Sequence, residues 1–188
     1  MKTPRTILVP LAPGFEEIEA VTIVDVLRRA GLPVVVAGLE AGPCRGAHGM
    51  TLAIDRPLAE VAAEDVRTIV LPGGMPGTTH LMEDERVLAL VRALHAERRP
   101  VAAICAAPMV LAAAGVLGGR RATSHPGVRD RLQGVHVVDE EPVVRDGTLI
   151  TSQGPGTALA FALALVEELV GPEKVRELEE AMVATAAR

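Results

Sequence analysis

Two kinds of group in this chain stand where they could do chemistry together. One is a lone thiol, Cys105, at the end of the apolar run Val101-Ala102-Ala103-Ile104; the other is a set of carboxyls, Glu16, Glu17 and Glu19. The run reads as a strand turning sharply into a helix. Ala106 and Ala107 allow a tight turn, and Pro108 suits a first helical turn that needs no donor. A helix N-terminus offers unpaired N–H groups and a partial positive charge. A thiol there is expected to ionise more easily, and the thiolate is the reactive form. The same pattern also fits an inert, buried structural cysteine.

Acidic residues in the first turn of a helix favour its dipole by roughly 0.3–1 kcal/mol each, and that alone accounts for most of the three carboxyls. Glu16 and Glu19, three apart, share a helix face. One of them could reach the thiol, donate to its thiolate and shuttle protons. Spacing leaves both open. Pro72-Gly73-Gly74 follows a strand directly and is either a plain turn or an unobstructed backbone donor. The N–H groups of Gly74 and Ala106 would then form an oxyanion hole, whose donors are worth about 2.7–4 kcal/mol each. His125, before Pro126, is a turn residue or a general acid–base partner for Cys105.

Other chemistry finds less support. His48, His80, His95 and His136 show no ligand spacing with one another, and Cys44 and Cys105 form no Cys-x-x-Cys pair. No metal site and no disulfide framework are expected. Cys44 reads as an incidental exposed loop thiol beside Arg45. The Gly73–Gly77 stretch lacks the lysine and hydroxyl of a phosphate loop, and no Gly-x-Gly-x-x-Gly follows the first strand, which disfavours a nucleotide cofactor.

The elements that must position these groups alternate. Strands are expected at Thr6–Leu11, Pro33–Gly38, Thr68–Leu71 and Val101–Ile104, with a brief one at Arg121–Ser124. Helices are expected at Phe15–Ala30, 85–97, Pro108–Ala114, Thr157–Val170 and from Pro172 to about Ala184. A hairpin or edge strand falls between Gly42 and Pro57, and a hairpin turns at Asp146-Gly147. Short apolar strands between helices imply an α/β fold, a mostly parallel sheet covered on both faces. Ligands then bind beyond the carboxyl ends of the strands, where residues 12–19, 72–77, 105–108 and 124–127 converge.

The chain has 188 residues, 49% hydrophobic, which suits one folded domain over 1–188. A net charge of -5 and only two aromatic residues, Phe15 and Phe161, argue against nucleic acid. No apolar run is long enough to span a bilayer, and the start does not resemble a signal peptide. A reduced, cytoplasmic protein is expected.

Four segments in register resemble the DJ-1/PfpI superfamily, and within it the DJ-1 branch with its bacterial ThiJ-like relatives. They are Gly14-Phe15-Glu16-Glu17-Ile18-Glu19-Ala20-Val21, Leu71-Pro72-Gly73-Gly74, Ala102-Ala103-Ile104-Cys105-Ala106-Ala107-Pro108 and Thr151-Ser152-Gln153-Gly154-Pro155-Gly156-Thr157. The resemblance implies a flavodoxin-like three-layer sandwich, a homodimer, no cofactor, and Cys105 at a strained strand-to-helix turn. It selects Glu19 as the carboxyl on the thiol, makes Gly74 and Ala106 the oxyanion donors and puts His125 close by. Two departures are visible: Ala106 stands where the protease branch has histidine, and His48-Gly49 where close relatives often carry Arg-Gly.

The activity so implied is that of a glutathione-independent glyoxalase or deglycase. It would act on methylglyoxal-type 2-oxoaldehydes, or their adducts with amines or thiols, through a Cys105 hemithioacetal with Glu19 moving protons. Two other readings remain: an oxidative-stress sensor or chaperone with Cys105 oxidised to sulfinate, and a Cys105–His125 hydrolase.

Overall fold

The computed structural model describes residues 5–184. In chain order the strands are β1 Thr6–Leu11, β2 Val34–Gly38, β3 Cys44–Arg45, β4 Thr51–Leu52, β5 Arg56–Pro57, β6 Val66–Leu71, β7 Val101–Ile104, β8 Arg121–Ala122, β9 His136–Val137, β10 Val143–Asp146 and β11 Leu149–Ser152. The α-helices are α1 Glu17–Arg29, α2 Gly77–Glu83, α3 Glu85–Ala96, α4 Pro108–Ala113, α5 Ala158–Leu169 and α6 Pro172–Ala181.

Seven strands make the main sheet, in the order β10-β11-β7-β6-β1-β2-β5. All neighbours are parallel except the β10–β11 hairpin. Helices α1, α5 and α6 pack together, as do α2, α3 and α4, and the two groups cover the sheet in a flavodoxin-like α/β sandwich. This is why Ile7, Leu8 and Val9 are all inaccessible rather than alternately so: a strand covered on both faces buries successive side chains in opposite layers. Helix α1 presents Ala20, Ile23, Val26 and Leu27 to the core, one face of a helical repeat.

Several boundaries shift for local reasons. Helix α1 begins at Glu17, not Phe15, because Glu16 is its cap: its backbone is extended (φ -85°, ψ 124°) and its side chain accepts from the Glu19 N–H. The strand expected at Thr68 starts two residues earlier, and the final helix ends at Ala181 rather than near Ala184. The strand expected to reach Ser124 stops at Ala122. Helix α2 was hidden behind Pro72–Gly77, whose glycines and prolines read as loop. The stretch from Gly42 to Pro57 holds both expected alternatives, the β3–β4 hairpin and edge strand β5. Cys44, expected to be exposed, is buried in the core, because its side chain faces inward from β3.

Candidate active site

Strand β7 runs between β6 and β11, and Cys105 is its first residue past the carboxyl end. The Cys105 N–H still donates to Ser152 O at 3.0 Å, continuing the ladder to β11. Its backbone then turns left-handed, with φ +65°. For a side-chain-bearing residue that conformation costs roughly 1–2 kcal/mol. It persists because neighbours pin both ends: the Cys105 carbonyl accepts the His125 N–H at 2.8 Å, and Pro108 opens α4. The side chain is almost wholly buried, at 9% exposure.

Glu19, fully buried on α1, meets this thiol. Its Oε2 accepts the Gly73 N–H at 2.7 Å. Oε1 is buried with no hydrogen-bond partner among the described residues, and the carboxyl lies against the Cys105 thiol. Glu16, the other open alternative, is occupied differently. Its N–H donates to Gly73 O, and its Oε2 accepts the Glu19 N–H at 2.7 Å, so it caps the helix that carries Glu19.

Gly73 sits where the backbone passes between the two groups. A Cβ on it would lie 2.7 Å from Cys105 Cβ and 2.9 Å from Glu19 Oε2, so no larger residue fits without displacing the pair. Gly74, at φ +93°, brings its N–H to the sulfur, as does Ala106. The donor role of Gly73 was missed from sequence; the doubled glycine after a buried strand was its only signal.

Burial pushes the Glu19 carboxyl up to about 7; hydrogen bonds from Gly73 and Cys105 work against the rise, and the Glu16 charge adds to it. Burial likewise pushes the Cys105 thiol up to about 12, reinforced by the neighbouring Glu19 carboxylate and only partly opposed by the Ala106 and Gly74 N–H groups. Easy ionisation at a helix N-terminus was the expectation. Burial, the largest effect, and the neighbouring Glu19 carboxylate work against it. Between these two values the pair holds one proton in common.

His125 lies beside the cysteine through its backbone, but its ring faces elsewhere. Nδ1 accepts the Gly127 N–H at 3.1 Å, capping the turn that follows, so the neutral ring carries its proton on Nε2. Among the described residues no hydrogen bond joins the ring to the Cys105 side chain. Glu17 is also engaged away from the thiol. Its Oε1 accepts the N–H groups of His48 (2.7 Å) and Met50 (3.3 Å), and its Oε2 meets His48 Nδ1 at 2.9 Å. Burial opposes the Glu17 charge, yet these hydrogen bonds hold its carboxyl below the usual value.

The family model for DJ-1/PfpI proteins matches residues 5–168. The chain belongs to the DJ-1/PfpI family. It is similar to Protein dj-1beta of Drosophila melanogaster, with 44% identity over 181 residues, 95% of this chain and 97% of that one. The crystal structure of Drosophila melanogaster DJ-1beta matches it with a TM-score of 0.92, covering 96% of this chain and 98% of that chain at 44% identity. The glutathione-independent glyoxalase DJR-1.2 of Caenorhabditis elegans is 38% identical over 181 residues, 95% of this chain and 96% of that one. In this DJ-1/PfpI protein no helix among the described residues is long and apolar enough to cross a membrane. A groove of about 670 Å³ between β10, α5 and α6 contains neither Cys105 nor Glu19.

Proposed function

We propose that this protein is a cofactor-independent glyoxalase that converts methylglyoxal-type 2-oxoaldehydes to 2-hydroxy acids at Cys105. The observation that carries the reading is the Glu19–Cys105 pair: a buried carboxyl that is held by the Gly73 N–H and lies against the thiol.

The Cys105 sulfur attacks the aldehyde carbon while the thiol proton passes to Glu19, whose raised value makes it a competent base and then acid near neutral pH. The carbonyl oxygen develops charge where the Gly74 and Ala106 N–H groups can receive it, and protonation gives the hemithioacetal. Glu19 next takes the hydrogen from the former aldehyde carbon as a proton and returns it to the adjacent carbonyl carbon through an enediol. The product is a 2-hydroxyacyl thioester on Cys105. Water cleaves it, releasing the acid and restoring the thiol. Neither a redox partner nor a metal is needed for the balance. Adducts of the aldehyde with amines or thiols would enter by the same carbon.

Resemblance to a glutathione-independent glyoxalase supports the substrate class. The engagement of the His125 ring with Gly127 favours this reading over a Cys–His hydrolase. Both cysteines are free, which suits a reducing compartment such as the cytoplasm. A homodimer through the exposed face of α1 completes the proposal. The test is lactate formation from methylglyoxal by purified protein without glutathione. Cys105→Ser should abolish it; no lactate, or full activity in that variant, overturns the mechanism.

A further inference from the structure

Outside the Cys105–Glu19 pair, two carboxylates and one imidazole converge at the start of α1. Glu16, Glu17 and His48 each offer a ligand atom, all within 4.8 Å of one another. His48 Nδ1 is 2.9 Å from Glu17 Oε2 and 3.9 Å from Glu16 Oε1. The side chains of Glu16 and Glu17 are only 8% and 5% exposed, whereas that of His48 is 73% exposed. Glu16 Oε2 is taken by the Glu19 N–H, but Glu16 Oε1 has no hydrogen-bond donor among the described residues and faces the imidazole. No Lys or Arg among those residues forms an ion pair with either carboxylate.

The geometry points to a binding site for one divalent transition-metal ion of the zinc and copper kind, held by Glu16 Oε1, Glu17 Oε2 and His48 Nδ1. Glu16, Glu17 and one imidazole form a cluster in which two carboxylates face a single ring nitrogen, the donor set a dication would join. The mixed oxygen and imidazole donors suit zinc or copper, whereas calcium and magnesium prefer oxygen alone. Ligands about 2.0–2.1 Å from a tetrahedral ion stand roughly 3.3 Å apart, and the two observed edges bracket that spacing.

The supporting contacts are already in place. Glu17 Oε1 is fixed by the His48 and Met50 N–H groups and Glu16 Oε2 by the Glu19 N–H, which leaves one oxygen of each carboxylate for the ion. Binding displaces any proton on His48 Nδ1 to solvent. Comparing the histidines with one another could not find this site, because His48 pairs with a carboxyl 31 residues away.

The test uses metal-free protein carrying Cys105→Ser, so that the active-site thiol cannot compete. Calorimetric titration with Zn²⁺ or Cu²⁺ should give one ion per chain, and electron paramagnetic resonance of the Cu²⁺ form should show one imidazole nitrogen. His48→Ala, at an exposed position that leaves the fold intact by circular dichroism, should weaken binding by about tenfold or more and erase the nitrogen signature. Glu16→Gln should weaken it as well, and Zn²⁺ should raise the Tm of the parent but not of His48→Ala. Absence of binding, or binding that His48→Ala leaves unchanged, overturns the site. Neither result bears on turnover at Cys105.

Discussion

Glu19 lies against Cys105 with one carboxylate oxygen tied to the Gly73 N–H at 2.7 Å and the other buried without a hydrogen-bond partner among the described residues. The two groups therefore behave as one acid with two protons to lose, near 7 and near 12. Burial and the neighbouring carboxylate hold the thiol toward its protonated form. Its proton has a prepared destination, and nucleophile and base are activated in the same step.

Glu19→Gln separates these roles. The amide can still accept from Gly73, so the fold should hold, but it cannot take the thiol proton. Turnover of methylglyoxal should fall by roughly 10²–10⁴-fold, the usual share of general acid–base catalysis. The Cys105 value should move down, because the carboxylate charge that helps hold it up is gone. Alkylation by iodoacetamide across a pH series reads this directly: the variant should react at lower pH than the parent while turning over more slowly. A thiol value that stays put or rises would contradict the pairing.

The pair also makes stability depend on pH. The Glu19 carboxyl titrates near 7 in the folded chain against an ordinary value of 4.5. Between those values the folded state binds more protons than the unfolded state, so stability falls as pH rises through that window. The difference in value amounts to on the order of 3 kcal/mol. Denaturant unfolding of metal-free protein in chelator should show the parent losing stability relative to Glu19→Gln between pH 4.5 and about pH 7. Parallel behaviour of the two proteins would mean that the carboxyl is not desolvated as described.

Gly73→Ala should damage the site from the backbone side. The added Cβ would meet Cys105 Cβ, Glu19 Oε2 and the Ala106 N at 2.7, 2.9 and 3.0 Å, and two of these three atoms belong to main chain or to a Cβ that cannot swing away. A stability loss of about 1–3 kcal/mol is expected, as for other overpacked interiors, with turnover reduced further than Cys105 accessibility alone would explain. Gly118→Ala, where a Cβ meets nothing within 4 Å, is the control and should be near neutral.

What was legible in the sequence followed from chemistry that repeats locally. The apolar strands at Thr6, Val34 and Val101, the parallel sheet they imply, and the gathering of residues 12–19, 72–77 and 105–108 at one edge could be read from runs and turns. The thiol's ionisation could not. It depends first on how deeply the sulfur is buried and then on a carboxylate some 86 positions earlier in the chain, and only packing sets either. The choice between Glu16 and Glu19 likewise turned on which residue begins the helix, a boundary that the carboxyl of Glu16 itself defines by capping. Cys44 was misjudged because two-residue β3 is too short to show alternation, so its inward direction left no mark.

The last prediction concerns assembly. Ile18 and Val21, three apart on α1, are 57% and 43% exposed, and Met50 beside them is 55% exposed. Met50 is tied to the same helix start through its N–H bond to Glu17. Large apolar side chains clustered on one face, rather than scattered, mark an interaction surface, and a self-complementary patch on one helix suits a two-fold dimer. Sedimentation at micromolar concentration should find a dimer for the parent and a monomer for Ile18→Glu, because the substituted carboxylate would be buried without a partner charge. Ile18 takes no part in the Cys105–Glu19 pair, so an inactive monomer with an unchanged fold would show that the second copy shapes the site. A monomeric parent would remove the α1 interface outright.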